Sequence, residues 1–314
     1  MASAPRSAVH LFRAAAVFAL LANIGGSIVA ATHSGFECGN WPGCTADALL
    51  PGGVVNELLY RNPWIEMAHR TSAVLSGPTA LASAIVGLRL RQAHPLVRVL
   101  PWFAVVGAFI AGFVGRGIVL GESYPTWVGA LDLGAAQVTM ASMVVAAIAL
   151  ERTPAHWAPT RLALYAWSAL GSLFAMHLAG LWAAGPNSYT RVVSWPVWRI
   201  LDADLHGSLA AQWLRFPLAA LAAVLIVLAF RQARATGEAS VTRVVALALM
   251  AVCLASGAII AVSGTDALGV PFAVSSVCLL FTLLLIAGRA SVHALPQDEV
   301  KSGPRMEAPA ARAS

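Results

Sequence analysis

The chain has 314 residues, of which 59% are hydrophobic and 11% are charged, and its mean hydropathy is +0.75. This composition excludes an ordinary soluble domain and indicates a protein that crosses a membrane several times. The net charge of +6 gives no reason to expect a nucleic-acid partner, because the basic residues follow a membrane topology.

Eight apolar stretches are each long enough to cross about 30 Å of hydrocarbon as a helix. We place them at residues 11–31, 64–88, 99–120, 127–150, 162–184, 205–230, 244–264 and 271–288. The first is expected to be a retained span and not a cleaved signal, because Gly25-Gly26 continues into further apolar residues. The fold class predicted is therefore an all-α integral membrane protein with eight transmembrane helices.

The loops on one side of these spans carry most of the 20 Lys and Arg residues. Because loops rich in positive charge stay on the inside, we expect a multi-pass protein of the plasma membrane with both termini in the cytoplasm. Membrane lipid is then an expected partner, and the connection at residues 32–63 is the longest loop on the outer side.

Cys38 and Cys44 lie in this outer loop, with five residues between them. On the non-cytoplasmic side such a pair can close a small disulfide loop. A zinc site would require more thiol or imidazole ligands than the loop offers. Cys253 and Cys278 lie within spans, where a cysteine is expected to be a small buried apolar residue.

The second span opens with Glu66, His69 and Arg70, which share one face of a helix at positions i, i+3 and i+4. Ionisable groups in a membrane helix usually face the bundle interior or a polar cavity, which makes Glu66 a candidate for acid–base or electrostatic work. The alternative is an interfacial anchor, in which Arg70 reaches toward water and Glu66 neutralises it.

A weak internal repeat suggests that the eight helices form two pseudo-symmetric four-helix halves. When His69 is superposed on His206, Pro78 and Pro217 follow after nine and eleven residues, and Arg-Gln-Ala ends both helices. We therefore expect an N-terminal half at 1–150, a C-terminal half at 151–289 and a disordered cytoplasmic tail at 290–314.

Two equivalent histidines between apolar helices predict two equivalent sites, and heme is a natural ligand for them. The alternative is that each histidine is a polar residue satisfied by a neighbouring helix. Arg116 and Asp132 lie near the outer ends of the third and fourth spans, and we expect them to form a structural ion pair. His177, in the fifth span, is expected to have a structural role.

The segments Cys38-Gly-Asn-Trp-Pro-Gly-Cys44 and Glu66-Met-Ala-His69-Arg70 resemble the corresponding motifs of the heme A synthase family. The resemblance implies oxidation of a methyl group of heme O to the formyl group of heme A, for cytochrome oxidase biogenesis. It further implies a catalytic Glu66, a substrate heme on His69, a second heme (heme b) on His206, and a Cys38–Cys44 disulfide. An electron donor, heme O synthase and oxidase assembly factors are the partners it suggests.

Two positions depart from the family pattern. Asp132 and Cys278 stand where the fourth and eighth helices of the family supply histidines. A thiolate can bind heme iron, so Cys278 is a candidate ligand, although a buried cysteine is commonly inert. Asp202 competes with His206 for the corresponding position in the second half.

The leading hypothesis is accordingly a heme A synthase-like oxidoreductase. The alternative is a catalytically impaired paralogue that acts as a heme-binding or oxidase-assembly protein. A solute transporter is a weaker hypothesis, because its site should lie near the middle of the membrane and the polar groups here cluster toward the outside.

Overall fold

A computed structural model describes residues 4–52, 58–185, 207–235, 240–263 and 267–295 of the chain. Within these ranges there are eight helices, and each is long and apolar enough to cross a membrane. They are α1 (Arg6–Ala31), α2 (Pro63–Arg89), α3 (Pro95–Val119), α4 (Thr126–Glu151), α5 (Arg161–Ala184), α6 (Leu209–Ala235), α7 (Ser240–Ser263) and α8 (Gly269–Ser291). The prediction of an eight-helix, all-α membrane protein is confirmed.

Local sequence signals set several of the helix starts. The Asn62 side chain accepts a hydrogen bond of 2.9 Å from the Trp64 backbone N–H, and Pro63 occupies the first helical position of α2. The Thr160 hydroxyl similarly accepts from the Ala163 N–H at the start of α5. A side-chain cap and a proline at the first position both favour helix initiation, so these starts can be recognised from the sequence.

The helices also extend beyond the apolar stretches at the end of the bundle where the chain begins. Helix α1 starts at Arg6 and includes Arg13, whose Nε donates a 2.7 Å hydrogen bond to Glu151 Oε1 at the end of α4. The predicted span began only at residue 11, because the polar first turns of α1 carry no hydropathy signal.

Helices α1 to α4 form a closed ring, because each contacts the next and α1 also contacts α4. In the second half α5 contacts α6 and α8, and α7 contacts α8, while α6 and α7 touch only slightly. Helix α8 also packs against α1 and α4, and it joins the two groups. In both groups the first helix packs against the second and the fourth, and the third packs against the fourth, but the contact between the second and third helices is slight in the second group. The pseudo-symmetry of the two groups, and with it the division into halves, stays a prediction.

The α4 and α8 helices are the most buried of the eight. Their inward faces carry large side chains with almost no exposed surface, including Met140, Met143 and Phe272. Phe12 of α1 joins the same core cluster. The interior of the bundle is thus built on these two helices, while the remaining six present broad apolar faces to the outside, as expected in lipid.

A two-stranded antiparallel sheet joins β1 (Ala155–Trp157), after α4, to β2 (Val292–Ala294), after α8. Ala290 and Val292 are completely buried. We had expected a disordered tail from residue 290 onward. Residues 290–295 are instead held in place by strand pairing and burial. The rest of that predicted tail lies outside the described residues.

Close packing of α3 on α4 depends on Gly107. A Cβ atom at this position would stand 2.5 Å from Thr139 Oγ1 and 2.6 Å from the Ala135 carbonyl oxygen. Thr139 Oγ1 itself donates to the Ala135 carbonyl, and a hydrogen bond of 3.2 Å joins it to the Ala104 carbonyl of α3. Small residues that let helix backbones approach are typical of helix contacts in membranes.

We predict that Gly107→Ala destabilises the protein by about 1–3 kcal/mol, because the added methyl group overpacks the α3–α4 contact. Gly112→Ala is the matched control on the same helix, because a Cβ at Gly112 would meet no atom within 4 Å. The free energy of unfolding, measured by titrating detergent-solubilised protein with dodecyl sulfate, should separate the two variants. Equal values for both would contradict this account of the contact.

Candidate functional site

A buried ion pair stands at the start of α2. Arg70 Nη2 lies 2.5 Å from Glu66 Oε1, and the two residues are only 9% and 2% exposed. Because they are one helical turn apart, the pair forms within a single helix. The sequence placed Glu66, His69 and Arg70 on one side of α2. In the structure, Glu66 and Arg70 pair directly with each other.

Arg70 also holds the cysteine loop through three backbone carbonyls. Its Nη1 donates to the carbonyl oxygens of Asn40 at 2.6 Å and Gly43 at 2.9 Å, and its Nη2 donates to that of Cys38 at 2.8 Å. Glu66 Oε2 accepts a 2.8 Å hydrogen bond from the Cys38 N–H. A planar guanidinium with several fixed donors is suited to such a set of acceptors.

Cys38 and Cys44 form a disulfide, as predicted. Both are buried, at 0% and 4% exposure, and they pack with Met67 in a small apolar cluster of their own. The loop is therefore a compact lid that rests on the first turns of α2. Glu66 pairs with Arg70, as the interfacial-anchor interpretation expected, but Arg70 is buried and binds this loop instead of reaching toward water.

A second set of polar contacts ties the end of α1 to the start of α2. The Ser34 hydroxyl accepts from the Asn62 N–H at 3.0 Å and lies 2.7 Å from the Thr32 hydroxyl. The Arg61 N–H donates to the Thr32 carbonyl at 2.9 Å. Thr32 and Asn62 were not predicted from the sequence, although the Asn62-Pro63 helix start was a usable signal for Asn62.

His69 lies against two glycines of α1. A Cβ at Gly25 would stand 3.1 Å from His69 Nδ1, and a Cβ at Gly26 would stand 3.2 Å from its Cε1. The glycines thus make room for the imidazole where α1 and α2 pack. Among the described residues, the buried Nδ1 has no partner in good hydrogen-bond geometry, although the Ala22 backbone of α1 lies close to the imidazole. This contact was missed from the sequence, where Gly25-Gly26 was considered only in relation to signal cleavage.

The expected ion pair between Arg116 and Asp132 does not form. Within the described part of the chain, the ion pairs are Arg13–Glu151 and Glu66–Arg70. The Arg116 guanidinium instead lies 6.0 Å from the ring centroid of Trp41, an exposed residue of the cysteine loop. A cation–π contact at the edge of the loop has replaced the predicted pair, and it gives the loop a contact with α3.

Asp132 is half-buried in α4. Deeper along the same helix, Gln137 Nε2 donates a 3.0 Å hydrogen bond to Asn23 Oδ1, and Asn23 Nδ2 donates to the Ala136 carbonyl at 3.4 Å. Polar side chains therefore connect α4 to α1 in the membrane region, in addition to the apolar packing. Hydrogen bonds between neighbouring helices are a usual way to satisfy such groups in a membrane.

The second half is described less completely. His206, and Asp202 which competes with it, lie outside the described residues. Gln212 and Arg215 of α6 are buried, and Arg215 Nη1 donates to Gln212 Oε1 at 2.9 Å. This pair resembles the Glu66–Arg70 arrangement only in that one helix carries both partners.

His177 and the two free cysteines lie deeper in the second half. His177 is buried, and its Nδ1 is 2.6 Å from the Leu173 carbonyl of the same helix. Cys253 is buried with its Sγ 3.1 Å from Ser275 Oγ, which fits the expected role of a small buried residue. Cys278 is half-buried on α8. Its proposed role as a metal ligand stays a prediction.

Whether these residues fit a heme can be judged for the first half. His69 offers an imidazole with a buried nitrogen that lacks a partner in good hydrogen-bond geometry among the described residues, and the glycine pair fixes the position of its ring. In the described ranges no group of three or more His, Cys, Asp and Glu side chains is placed to hold a metal ion. The arrangement fits one axial imidazole ligand to a heme iron, and it does not offer a dense metal site.

In comparisons with known proteins, no family model matches this chain and no curated protein matches it. The resemblance to heme A synthases therefore depends only on the motifs of the cysteine loop and of the helix start that it contacts.

We predict that Arg70→Lys loosens the cysteine loop. A lysine ammonium cannot reproduce the planar set of donors that serves Glu66 and three carbonyls. Loss of one hydrogen bond to a charged group costs about 1.5–3 kcal/mol, which corresponds to at least about tenfold more frequent opening of the loop. Reduction of Cys38–Cys44 by dithiothreitol should accelerate accordingly, as followed by peptide-resolved thiol labelling.

Arg61→Lys is the control for this experiment. Arg61 is an exposed residue near the same loop, and its guanidinium lies 5.6 Å from the ring centroid of Tyr60. Its replacement should leave the reduction rate unchanged. If both variants were reduced at the wild-type rate, the Arg70 contacts would not be what protects the disulfide.

Proposed function

We propose that the chain is a heme A synthase-like membrane oxidoreductase that oxidises a methyl group of heme O to a formyl group. The observation that carries the proposal is a juxtaposition on α2. The Glu66–Arg70 pair holds a disulfide-closed loop at the same helix turn that presents His69, whose buried Nδ1 has no partner in good hydrogen-bond geometry among the described residues. Loop, carboxylate and imidazole are the parts of the family's first-half pattern that this chain keeps, while Asp132 stands at the position of the fourth-helix histidine.

In this proposal His69 holds the iron of the substrate heme. The glycines at positions 25 and 26 set the orientation of its ring, since any larger residue would collide with it. Conversion of a methyl to a formyl group removes four electrons and adds one oxygen atom, so the reaction requires an oxidant. With O2 in that role, two successive hydroxylations each consume one O2, two protons and two electrons from a donor and release one water, and loss of a further water from the diol leaves the formyl group. A heme b held by His206 would supply electron transfer, with an electron donor and oxidase assembly factors as further partners.

Glu66 acts electrostatically in this proposal. Both of its oxygens are already engaged, Oε1 by Arg70 and Oε2 by the Cys38 N–H. A fixed anion beside the reacting heme would stabilise positive charge that develops at the oxidised methyl group. Proton transfer through Glu66 would first require the loop to release Oε2.

A second candidate function is a heme-binding or oxidase-assembly protein without oxidase activity. It is supported by Asp132 at the position of a family histidine and by the full engagement of Glu66 in anchoring the loop. If Glu66 serves only to anchor the loop, a protein without oxidase activity would still keep both Glu66 and the loop.

We predict that His69→Ala loses the heme of the first half, because its axial ligand is removed, while the heme b assigned to His206 stays bound; the purified variant should therefore carry one heme per chain fewer than the wild type. Pyridine hemochrome analysis measures heme type and stoichiometry. The matched control is His33→Ala, since His33 is a half-buried histidine of the outer loop whose ring packs on Tyr60 at 5.5 Å. Wild-type protein without heme, or unchanged heme in His69→Ala, would refute the proposed heme site.

The two candidate functions differ in heme A production. We predict that cells lacking their own heme A synthase make heme A with the wild-type chain, and that Glu66→Gln lowers the yield at least tenfold while heme binding is retained. Arg70→Lys, which keeps the Glu66 anion, controls for loosening of the loop. Heme binding without heme A, with production gained in Asp132→His combined with Cys278→His, would instead support the assembly protein.

A further inference from the structure

Two histidines face each other across the small sheet at the end of the bundle where α1 begins and α8 ends. His156 of β1 is the direct partner of His293 in β2. Their ring centroids are 5.7 Å apart and their planes are inclined by 35°. Neither residue belongs to the outer site, and the proposed heme chemistry makes no use of them.

The backbone that carries this pair is firmly held. The Ala158 N–H donates to the Ser291 carbonyl at 2.8 Å, and the Leu295 N–H donates to the Pro154 carbonyl at 2.9 Å, so hydrogen bonds flank the pair on both sides. Arg152 Nη1 donates to the carbonyl oxygens of Arg289 and Val292. The separation of the two Cα atoms is therefore fixed by strand pairing and does not depend on the histidine side chains.

One nitrogen of each ring is available. His293 Nε2 lies 3.1 Å from the Ala158 carbonyl, and because a carbonyl only accepts, Nε2 carries the proton and Nδ1 is left with a free lone pair. A histidine fixed by a hydrogen bond to a backbone carbonyl is the usual arrangement of a metal ligand. His156 is exposed, and no hydrogen bond from its ring to another described residue is present.

The spacing suits a single bound ion. A metal–nitrogen bond of about 2.1 Å places each imidazole centroid about 3.2 Å from the ion. Two rings that share one ion can therefore lie up to about 6.4 Å apart, by that same estimate, and the observed 5.7 Å falls within this limit. We propose that His156 and His293 form a two-histidine site for a divalent transition-metal ion such as Zn²⁺, Ni²⁺ or Cu²⁺.

The surroundings define the character of this site. His94, whose pKa is lowered by partial burial and by the nearby His156, uses its Nδ1 to accept from the Leu96 N–H and cap α3. No third protein ligand is in place among the described residues, so water completes the coordination. With imidazole ligands and open positions, Cu²⁺ should bind most tightly and the ion should exchange readily.

A bound ion would link two parts of the chain that are far apart in sequence. Strand β1 lies between α4 and α5, whereas β2 follows α8, the helix that contacts both groups of helices. An ion that binds only the folded pair stabilises the folded protein by mass action. The site would thus strengthen the junction between the two groups at this end of the bundle.

The experiment uses the full-length protein, purified in detergent with a tag that contains no histidine. Zn²⁺ is titrated calorimetrically, and Cu²⁺ is added at one equivalent for electron paramagnetic resonance. We expect one ion per chain and a Cu²⁺ spectrum with hyperfine coupling to imidazole nitrogen. His156→Gln and His293→Gln should each weaken Zn²⁺ binding at least tenfold, and both should remove the upward shift in Tm that Zn²⁺ produces.

His10→Gln serves as the control, because His10 is an exposed histidine near the start of α1, at the same end of the bundle. It should bind Zn²⁺ as the wild type does. Absence of saturable binding, or equal affinity in His293→Gln and wild type, would overturn the proposal. The result is independent of heme, since neither histidine belongs to the proposed heme site.

Discussion

The end of the bundle where α2 begins depends on one buried charge pair. Glu66 and Arg70 neutralise each other within α2, yet each also binds the backbone of the cysteine loop, so that neither charge is buried without compensation. Removing either partner would leave an ion buried in a membrane protein, which is far more costly than the pair itself. The position of the loop and the packing of the disulfide on Met67 both follow from this pair.

The same pair creates a tension between structure and chemistry. A carboxylate that is fixed by a guanidinium and an amide is well oriented, and an oriented charge is useful for electrostatic catalysis. It is poorly suited to exchanging protons, because its oxygens are occupied. If Glu66 contributes to oxidation, it therefore does so as a fixed charge, and the loop that it anchors becomes part of the preorganised site.

Much of the fold could be predicted from the sequence, because span length, apolarity and loop charge report directly on the membrane. The Cys38–Cys44 disulfide was also predictable, from the spacing of the cysteines and from the side of the membrane that we predicted for their loop. Interactions between distant segments were not. We predicted an ion pair between Arg116 and Asp132 because both were placed near the same ends of adjacent helices. Hydropathy cannot show that the Arg116 guanidinium instead contacts the ring of Trp41. The contact of Gly25 and Gly26 with His69 was likewise invisible, since it depends on how α1 and α2 pack.

The way Arg70 holds the loop affects which loop residues can vary. Its three bonds go to carbonyl oxygens, which every amino acid carries, and the bond to Glu66 comes from a backbone N–H. Trp41 and Pro42 are exposed between the two cysteines, whereas a side chain at Gly43 would strike the Ala48 carbonyl. The loop can therefore exchange its exposed side chains while its attachment to α2 stays the same, although a change at Trp41 would remove the contact with Arg116 of α3.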